Sequence, residues 1–228
     1  MTDTQPLATE TFTTEDVEVV EQERVHNGYF KVDHYHLRHR KHEGGWTDVM
    51  SREVFERGHA TAVLLFDPVL DKVVFIEQFR TGAYAAFNSP WFDDKTQSPW
   101  LLECIVGIID AGETPEDVAR RECLEEADCK VLDLIPISHY LASPGGTSES
   151  IFLYCARIDA TNARGVYGLD QENEDIRVLS VDTQTALNWL DEGRYINSAT
   201  LIAMQWFKIN VSALRNHWSK ASGDSADA

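Results

Sequence analysis

Gly107-Ile108-Ile109-Asp110-Ala111-Gly112-Glu113-Thr114-Pro115-Glu116-Asp117-Val118-Ala119-Arg120-Arg121-Glu122-Cys123-Leu124-Glu125-Glu126-Ala127-Asp128-Cys129 joins a glycine-bearing turn to an acidic helix. Thr114 is a good N-cap, Pro115 suits the first helical position, and Asp117 stands where a capping box places its acid. The helix therefore begins at Thr114. At about 100° per residue, Glu122, Glu125 and Glu126 span roughly 100° of one face. Ala119, Cys123 and Ala127 form a small-residue stripe beside them, which lets the helix lie close to a sheet. Like charges four residues apart cost a few tenths of a kcal/mol in an isolated helix. A hard divalent cation with oxygen ligands, Mg²⁺ or Mn²⁺, would offset that repulsion. Taken alone, the three glutamates read more readily as a solvated acidic face than as a metal site.

Outward from this stretch, the chain alternates strands and helices. Val17–Val20, Tyr29–Arg38 and Ser51–Arg57 are rich in β-formers and make a small N-terminal β region, too thin to hold a core alone. Ala62–Phe66 and Val73–Ile76 flank Asp67-Pro68-Val69-Leu70-Asp71-Lys72, a hairpin signal. Phe87–Pro99 reads as a loop and Trp100–Ile109 as a strand. Val131–Ser138, Ile151–Ile158 and Ile176–Val181 are further strands, and Thr183–Glu192 and Ala199–Trp218 are closing helices. Asn197 and Ser198 offer caps for the last of these. The expected organisation is a loose N-terminus over 1–15, an N-terminal β region over 16–57, a catalytic domain over 58–218 and a flexible tail over 219–228. Strands interleaved with a middle helix and closing helices imply an α/β/α sandwich with a mixed sheet.

The 228 residues carry 43% hydrophobic and 25% charged side chains and a net charge of −18. Such an acidic chain is a poor partner for nucleic acid, whose phosphates require Lys and Arg clusters, and for an anionic membrane surface. No apolar run approaches the roughly 20 residues that span a bilayer, and the N-terminus does not read as a secretory signal. Cys104, Cys123, Cys129 and Cys155 form no Cys-x-x-Cys pair and have largely apolar neighbours, so they read as reduced core thiols in a cytoplasmic protein. A small anionic substrate remains open. The Debye length is about 8 Å at physiological salt, so a phosphate site needs its own local cations.

The spacing Gly107, five residues, Glu113, seven residues, Arg121-Glu122, two residues, Glu125-Glu126 resembles the Nudix box. The resemblance implies that Glu122 and Glu126 are the main metal ligands, that Glu125 supports them, and that the Val106 carbonyl adds a further ligand. Arg121 would pair with Glu113 and hold the loop that begins at Gly107. Two features depart from the pattern. Asp128 stands where the family has a helix-ending Gly, and Cys123 and Cys129 occupy aliphatic positions.

Pro144, fifteen residues beyond Cys129 in Leu141-Ala142-Ser143-Pro144-Gly145-Gly146-Thr147-Ser148-Glu149, resembles the ADP-ribose pyrophosphatase subgroup. So do Phe55-Glu56-Arg57-Gly58-His59, Ile76-Glu77-Gln78-Phe79-Arg80 and Leu169–Arg177. Arg80 ends a strand, where a guanidinium can grip a diphosphate oxygen, or equally form a surface ion pair. Ser143, Pro144 and Gly145 have little bulk, so backbone there can approach a ligand; an ordinary turn is the plainer alternative. Tyr29 or Phe30 can stack on adenine, although packing is the plainer reading of both. The resemblance places Arg52, Glu53, Arg57, Ile108 and Glu149 at the substrate as well, with Glu149 accepting ribose hydroxyls.

In the acidic loop Asp170–Asp175, which by itself is a solvated loop, the resemblance makes Glu174 a metal ligand and Glu172 the general base. It also implies Mg²⁺-dependent hydrolysis of ADP-ribose to AMP and ribose 5-phosphate, with Mn²⁺ a possible substitute. The expected assembly is a homodimer with sites shared between subunits. Two rivals stand beside this reading: a pyrophosphatase for another nucleotide sugar such as GDP-mannose, and a regulator that binds ADP-ribose without cleaving it. The Phe87–Gln97 stretch looks longer than usual, and no role follows from its sequence.

Overall fold

A computed structural model describes residues 12–92, 97–169, 171 and 173–221, with side chains described to Trp218. Its described residues divide into two compact units. One holds the chain up to Gly58 together with Leu141–Glu149, and the other holds His59–Tyr140 and the chain from Ser150 onward. The expected division at residues 57 and 58 did not foresee that the segment 141–149 packs with the N-terminal strands. The reason is a set of specific bonds. The Phe55 N–H donates to the Gly146 carbonyl at 2.8 Å, the Thr147 hydroxyl donates to the Phe55 carbonyl at 2.8 Å, and the Ser148 hydroxyl donates to Glu56.

In the first unit, β1 (Val17–Asn27), β2 (Lys31–His39) and β3 (Met50–Glu56) form an antiparallel three-stranded sheet in that order. β1 is longer than its apolar start indicates, because charged residues after Val20 continue the ladder and Arg24 donates to the buried Asp33 at 2.7 and 2.9 Å. The expected loose N-terminus is a capped 3-10 turn over Thr14–Asp16 where it is described, with Thr13 and Asp16 exchanging capping bonds. Residues 1–11 and 222–228 lie outside the described residues.

The second unit is a mixed eight-stranded sheet between helices. Its strands are β4 (Ala60–Asp67), β5 (Lys72–Phe79), β6 (Trp100–Glu103), β7 (Ile105–Ile108), β8 (Asp133–Leu141), β9 (Ser150–Arg157), β10 (Gly165–Tyr167) and β11 (Ile176–Asp182). The main order is β10-β11-β5-β4-β9-β8, with β6 on β5 and β7 on β4. β4 runs parallel to β9 and antiparallel to β5. The single strand expected over 100–109 is broken at Cys104, where the chain changes partner from β5 to β4. There the Cys104 N–H leaves the ladder and donates to the Thr200 hydroxyl at 2.9 Å.

The β4–β5 hairpin is held by the buried Asp67, whose carboxylate accepts the Val69, Leu70 and Ala160 N–H groups at 2.8, 3.0 and 2.8 Å. Strand alternation splits the core. Val63, Leu65, Val74 and Ile76 join Ala119, Cys123 and Ala127 of α2 (Pro115–Ala127) on one face. Phe66 meets Phe207 and Trp218 of α4 (Ser198–Ala221) on the other, where Phe75 meets Tyr195, which follows α3 (Thr183–Asp191). α4 runs past the expected limit at Trp218. The short helix α1 (Thr81–Phe87) and strand β10 were not foreseen; their sequences, TGAYAAF and GVY, are too short to show a period. All four cysteines are free and buried.

Asp128 ends α2 in the left-handed region, at φ 49° and ψ 34°, and its backbone N–H returns to the Cys123 and Leu124 carbonyls. The side chain is exposed, so substitutions there probe backbone conformation rather than packing. Asp128→Val is expected to lower unfolding free energy by about 1–2 kcal/mol, and Asp128→Gly to leave the chain at least as stable. Urea midpoints measure both. Equal midpoints for the Val variant and the parent would contradict the left-handed cap.

Candidate active site

α2 sits against β7 and β4 because its buried stripe is small. Ala119 and Cys123 are wholly buried, and Ala127 nearly so. The first turn is tied down twice: the Thr61 hydroxyl donates to the Pro115 carbonyl at 3.1 Å, and the Tyr154 hydroxyl donates to Glu116 at 2.9 Å. Thr114 and Asp117 form the expected capping box. Seated this closely, the helix places the Glu122 side chain where a Cβ on Gly107 would stand. The glycine is therefore required by a close approach, not by its own dihedral angles.

Arg121 organises the loop. Its guanidinium donates to both Glu113 oxygens at 2.9 and 3.0 Å, to Glu122 at 2.6 Å, to Glu125 at 3.1 Å and to the Ile108 carbonyl at 3.4 Å. The Asp110 N–H also donates to Glu113 at 3.1 Å. These bonds hold the Glu113 carboxyl below its usual range, with Arg121 the larger cause.

Glu126 is the buried member of the acidic face, 4% exposed, and accepts the Val106 N–H at 3.2 Å. Burial, and next the neighbouring charge of Glu122, push its carboxyl up to about 8; Glu174 adds to this, and the Val106 N–H and Arg80 oppose it. Glu122 is also raised, chiefly by burial and against the pull of Arg121. Glu174 acts on both, so its carboxylate lies within electrostatic reach of the acidic face. It is held there by its own backbone N–H on the Leu169 carbonyl and by the Leu169 N–H on its carboxylate, at 3.3 and 3.2 Å. Glu172, the expected general base, lies outside the described residues.

Arg80 donates through Nε to Glu103 at 2.8 Å. Glu103 was not foreseen as part of the site. It is 6% exposed, and burial pushes its carboxyl up, with Arg80 and Gln78 pulling the other way. The signal was available: Glu103 is the one charged residue in the apolar run from Trp100 to Ile109, and a buried acid demands a partner.

The remaining expected substrate residues belong to the first unit. Arg57 lies over the Phe30 ring at 5.6 Å and reaches Glu149 at 3.4 Å. Phe30 packs on Phe55 at 4.9 Å and on Tyr29 at 4.8 Å, leaving Tyr29 85% exposed. Ser143, Pro144 and Gly145 make an exposed turn in which the Ser143 carbonyl accepts the Gly146 and Thr147 N–H groups. Arg52 turns onto the Ser51 carbonyl at 2.7 Å, and Glu53 is exposed.

Such an arrangement suits phosphoanhydride chemistry: two or more carboxylates of suppressed acidity, with guanidinium groups beside them. A NUDIX domain matches residues 56–198. The chain belongs to the NUDIX family. It is 46% identical over 209 residues to the ADP-ribose pyrophosphatase of Escherichia coli (strain K12), covering 92% of this chain and 96% of that one. The ADP-ribose pyrophosphatase of Haemophilus influenzae is 36% identical over 92% and 94% of the two chains. The GDP-mannose pyrophosphatase of Yersinia pestis is 30% identical over 85% and 92%. A crystal structure of an ADP compounds hydrolase shares the fold, with a TM-score of 0.59 at 20% identity over 85% of this chain and 95% of that one. This NUDIX chain is therefore a hydrolase with an α/β/α sandwich.

NUDIX hydrolases generally use divalent metals, and the residues fit one. Among the described residues, no three acidic, histidine or cysteine side chains already share one centre. Glu122 is turned to Arg121, and Glu126 to the Val106 N–H. The donors are nonetheless all oxygen, and the buried Glu126 lies beside like charges with no side-chain hydrogen bond of its own to a cation. A hard divalent ion meets both conditions.

Gly107→Ala is expected to displace Glu122 while leaving the fold in place. Turnover should fall at least about a hundredfold, as when a positioned group moves by about 1 Å, with an unchanged circular dichroism spectrum. Retention of full turnover would separate Glu122 from the chemistry.

Proposed function

We propose that this chain hydrolyses the diphosphate of ADP-ribose, giving AMP and ribose 5-phosphate in a Mg²⁺-dependent reaction. The observation that carries this reading is an intact acidic helix, with Glu126 buried beside Glu122, in a chain 46% identical to an ADP-ribose pyrophosphatase over nearly its whole length. Glu122 and Glu126 would hold the metal, supported by Glu125, Glu174 and the Val106 carbonyl. Mg²⁺, when bound, would supply positive charge to the diphosphate and acidify a water.

The chain's own groups do the rest. Arg80, braced by Glu103, grips a diphosphate oxygen and takes up charge that develops as the bridging P–O bond breaks. Arg121 and Glu113 hold the Gly107 loop beneath the acidic face. Glu172 takes the proton of the attacking water as the water oxygen bonds to phosphorus. Ile108, Tyr29, Phe30, Arg52, Glu53, Arg57, Ser143, Pro144, Gly145 and Glu149 recognise the rest of the substrate, in a cytoplasmic homodimer with sites shared between subunits.

The 30% identity to a GDP-mannose pyrophosphatase supports a second reading, in which another nucleotide sugar is preferred. A regulator without catalysis is disfavoured, because Glu122, Glu125 and Glu126 are all retained.

Incubation with ADP-ribose, with and without Mg²⁺, followed by chromatography, is expected to yield AMP and ribose 5-phosphate only with the metal. Comparison of kcat/KM for ADP-ribose and GDP-mannose separates the two substrates, and binding without cleavage would restore the regulator. Glu172→Gln is expected to slow turnover by about 10²- to 10⁴-fold with substrate affinity preserved. A near-parental rate for that variant would remove Glu172 from the mechanism.

A further inference from the structure

The N-terminal sheet brings two histidines and two glutamates together on one face. His34 and His36 alternate on β2, so both project to the same side. The ladder sets Glu23 opposite His34 and Glu21 opposite His36 on β1. The His34 Nδ1 is 3.8 Å from a Glu23 oxygen, and the His36 Nδ1 is 3.6 Å from a Glu21 oxygen. Both gaps are too long for hydrogen bonds. The His36 Nδ1 is buried and has no hydrogen-bond partner. The two imidazole rings are themselves in contact, with centroids 4.6 Å apart.

Neither histidine is hydrogen-bonded to the glutamate opposite it, and the buried His36 Nδ1 lacks a partner. Arg38, next along the same face, already donates to Glu18 at 2.7 and 3.0 Å. A divalent cation between the facing donors supplies the missing partner. Two bonds of about 2.0–2.1 Å meeting near the tetrahedral angle separate their donors by about 3.3–3.4 Å, and a more open angle of roughly 135° reaches about 3.8 Å. The observed N–O gaps fall within or just above that span. On its far side, His34 Nε2 bonds to the Ser51 hydroxyl at 2.5 Å. When Nε2 is the donor, that bond fixes the tautomer with a free Nδ1, the outer bond expected of a metal-bound histidine.

We propose that His34, His36, Glu21 and Glu23 form a binding site for a divalent transition-metal ion of the zinc class, separate from the acidic helix. In the structure the four donors do not share one centre, so binding requires the partly exposed rings and the exposed glutamates to rotate toward the ion. Imidazole nitrogen distinguishes this site from the oxygen-only donors around Glu126 and selects Zn²⁺ over Mg²⁺.

The test is isothermal titration of the chelator-treated full-length chain with Zn²⁺, in a large excess of Mg²⁺ to occupy oxygen-only sites. The parent is expected to bind one Zn²⁺ per chain, and His34→Asn and His36→Asn each to weaken that binding more than about tenfold. Zinc should also shift the ring nitrogen resonances of both histidines in the parent. The double variant Glu21→Gln/Glu23→Gln, altered only at exposed positions of β1, covers the case in which a histidine variant fails to fold, and it too should bind more than about tenfold more weakly. Parental zinc affinity in the folded variants, or ring resonances unmoved at saturating Zn²⁺, would overturn the site.

Discussion

The close seating of α2 on β7 is the constraint on which the rest of the second unit depends. The helix carries a charged face and a face of small residues, and the charged face reaches the sheet only where β7 has no side chain. Gly107 provides that gap, and Glu122 fills it. Ala119, Cys123 and Ala127 keep the helix axis near the strands, and the bonds from Thr61 and Tyr154 fix its first turn. The αL residue Asp128 stops the helix so that Cys129 can turn into the core. A bulkier stripe would lift α2 away from the sheet and leave Glu126 in water, where it would be an ordinary acid.

Burial gives the carboxylates their chemistry. A buried acid beside other acids is costly to ionise, and only a few local groups oppose that cost. Arg121 serves Glu113, Glu122 and Glu125 together, while Glu126 has the Val106 N–H and the more distant Arg80. The net charge of −18 makes these local cations matter more. Glu103 belongs to the same economy, since it positions Arg80 while the guanidinium opposes the rise that burial imposes on its carboxyl. The partner change at Cys104 makes this possible: it puts Glu103 on the β5 side and Val106 on the β4 side within four residues of chain.

Much of the helix and its chemistry was legible in the sequence because the information is local. A cap, a proline, a small-residue stripe and three glutamates at fixed spacing are determined by helix geometry alone. The same holds for the β4–β5 hairpin, whose turn residues act on their own backbone. Elements without a period could not be read. α1 and β10 span too few residues, and the latter half of β1 is a charged run whose strand character comes from β2. The break at Cys104 was hidden because an apolar run does not reveal which strand it pairs with.

The sequence by itself determined the family, the acidic helix and its cap, because each rests on residues at fixed spacing along one segment; that Asp128, in place of the family's Gly, ends the helix in the left-handed region was decided by the structure. Only the tertiary structure decided that Glu126 is the buried carboxylate, that Glu103 braces Arg80, and that residues 141–149 pack with the N-terminal strands. It alone set His34 and His36 opposite Glu23 and Glu21. Burial and cross-strand register depend on which distant segments meet, and no spacing along one segment carries that information.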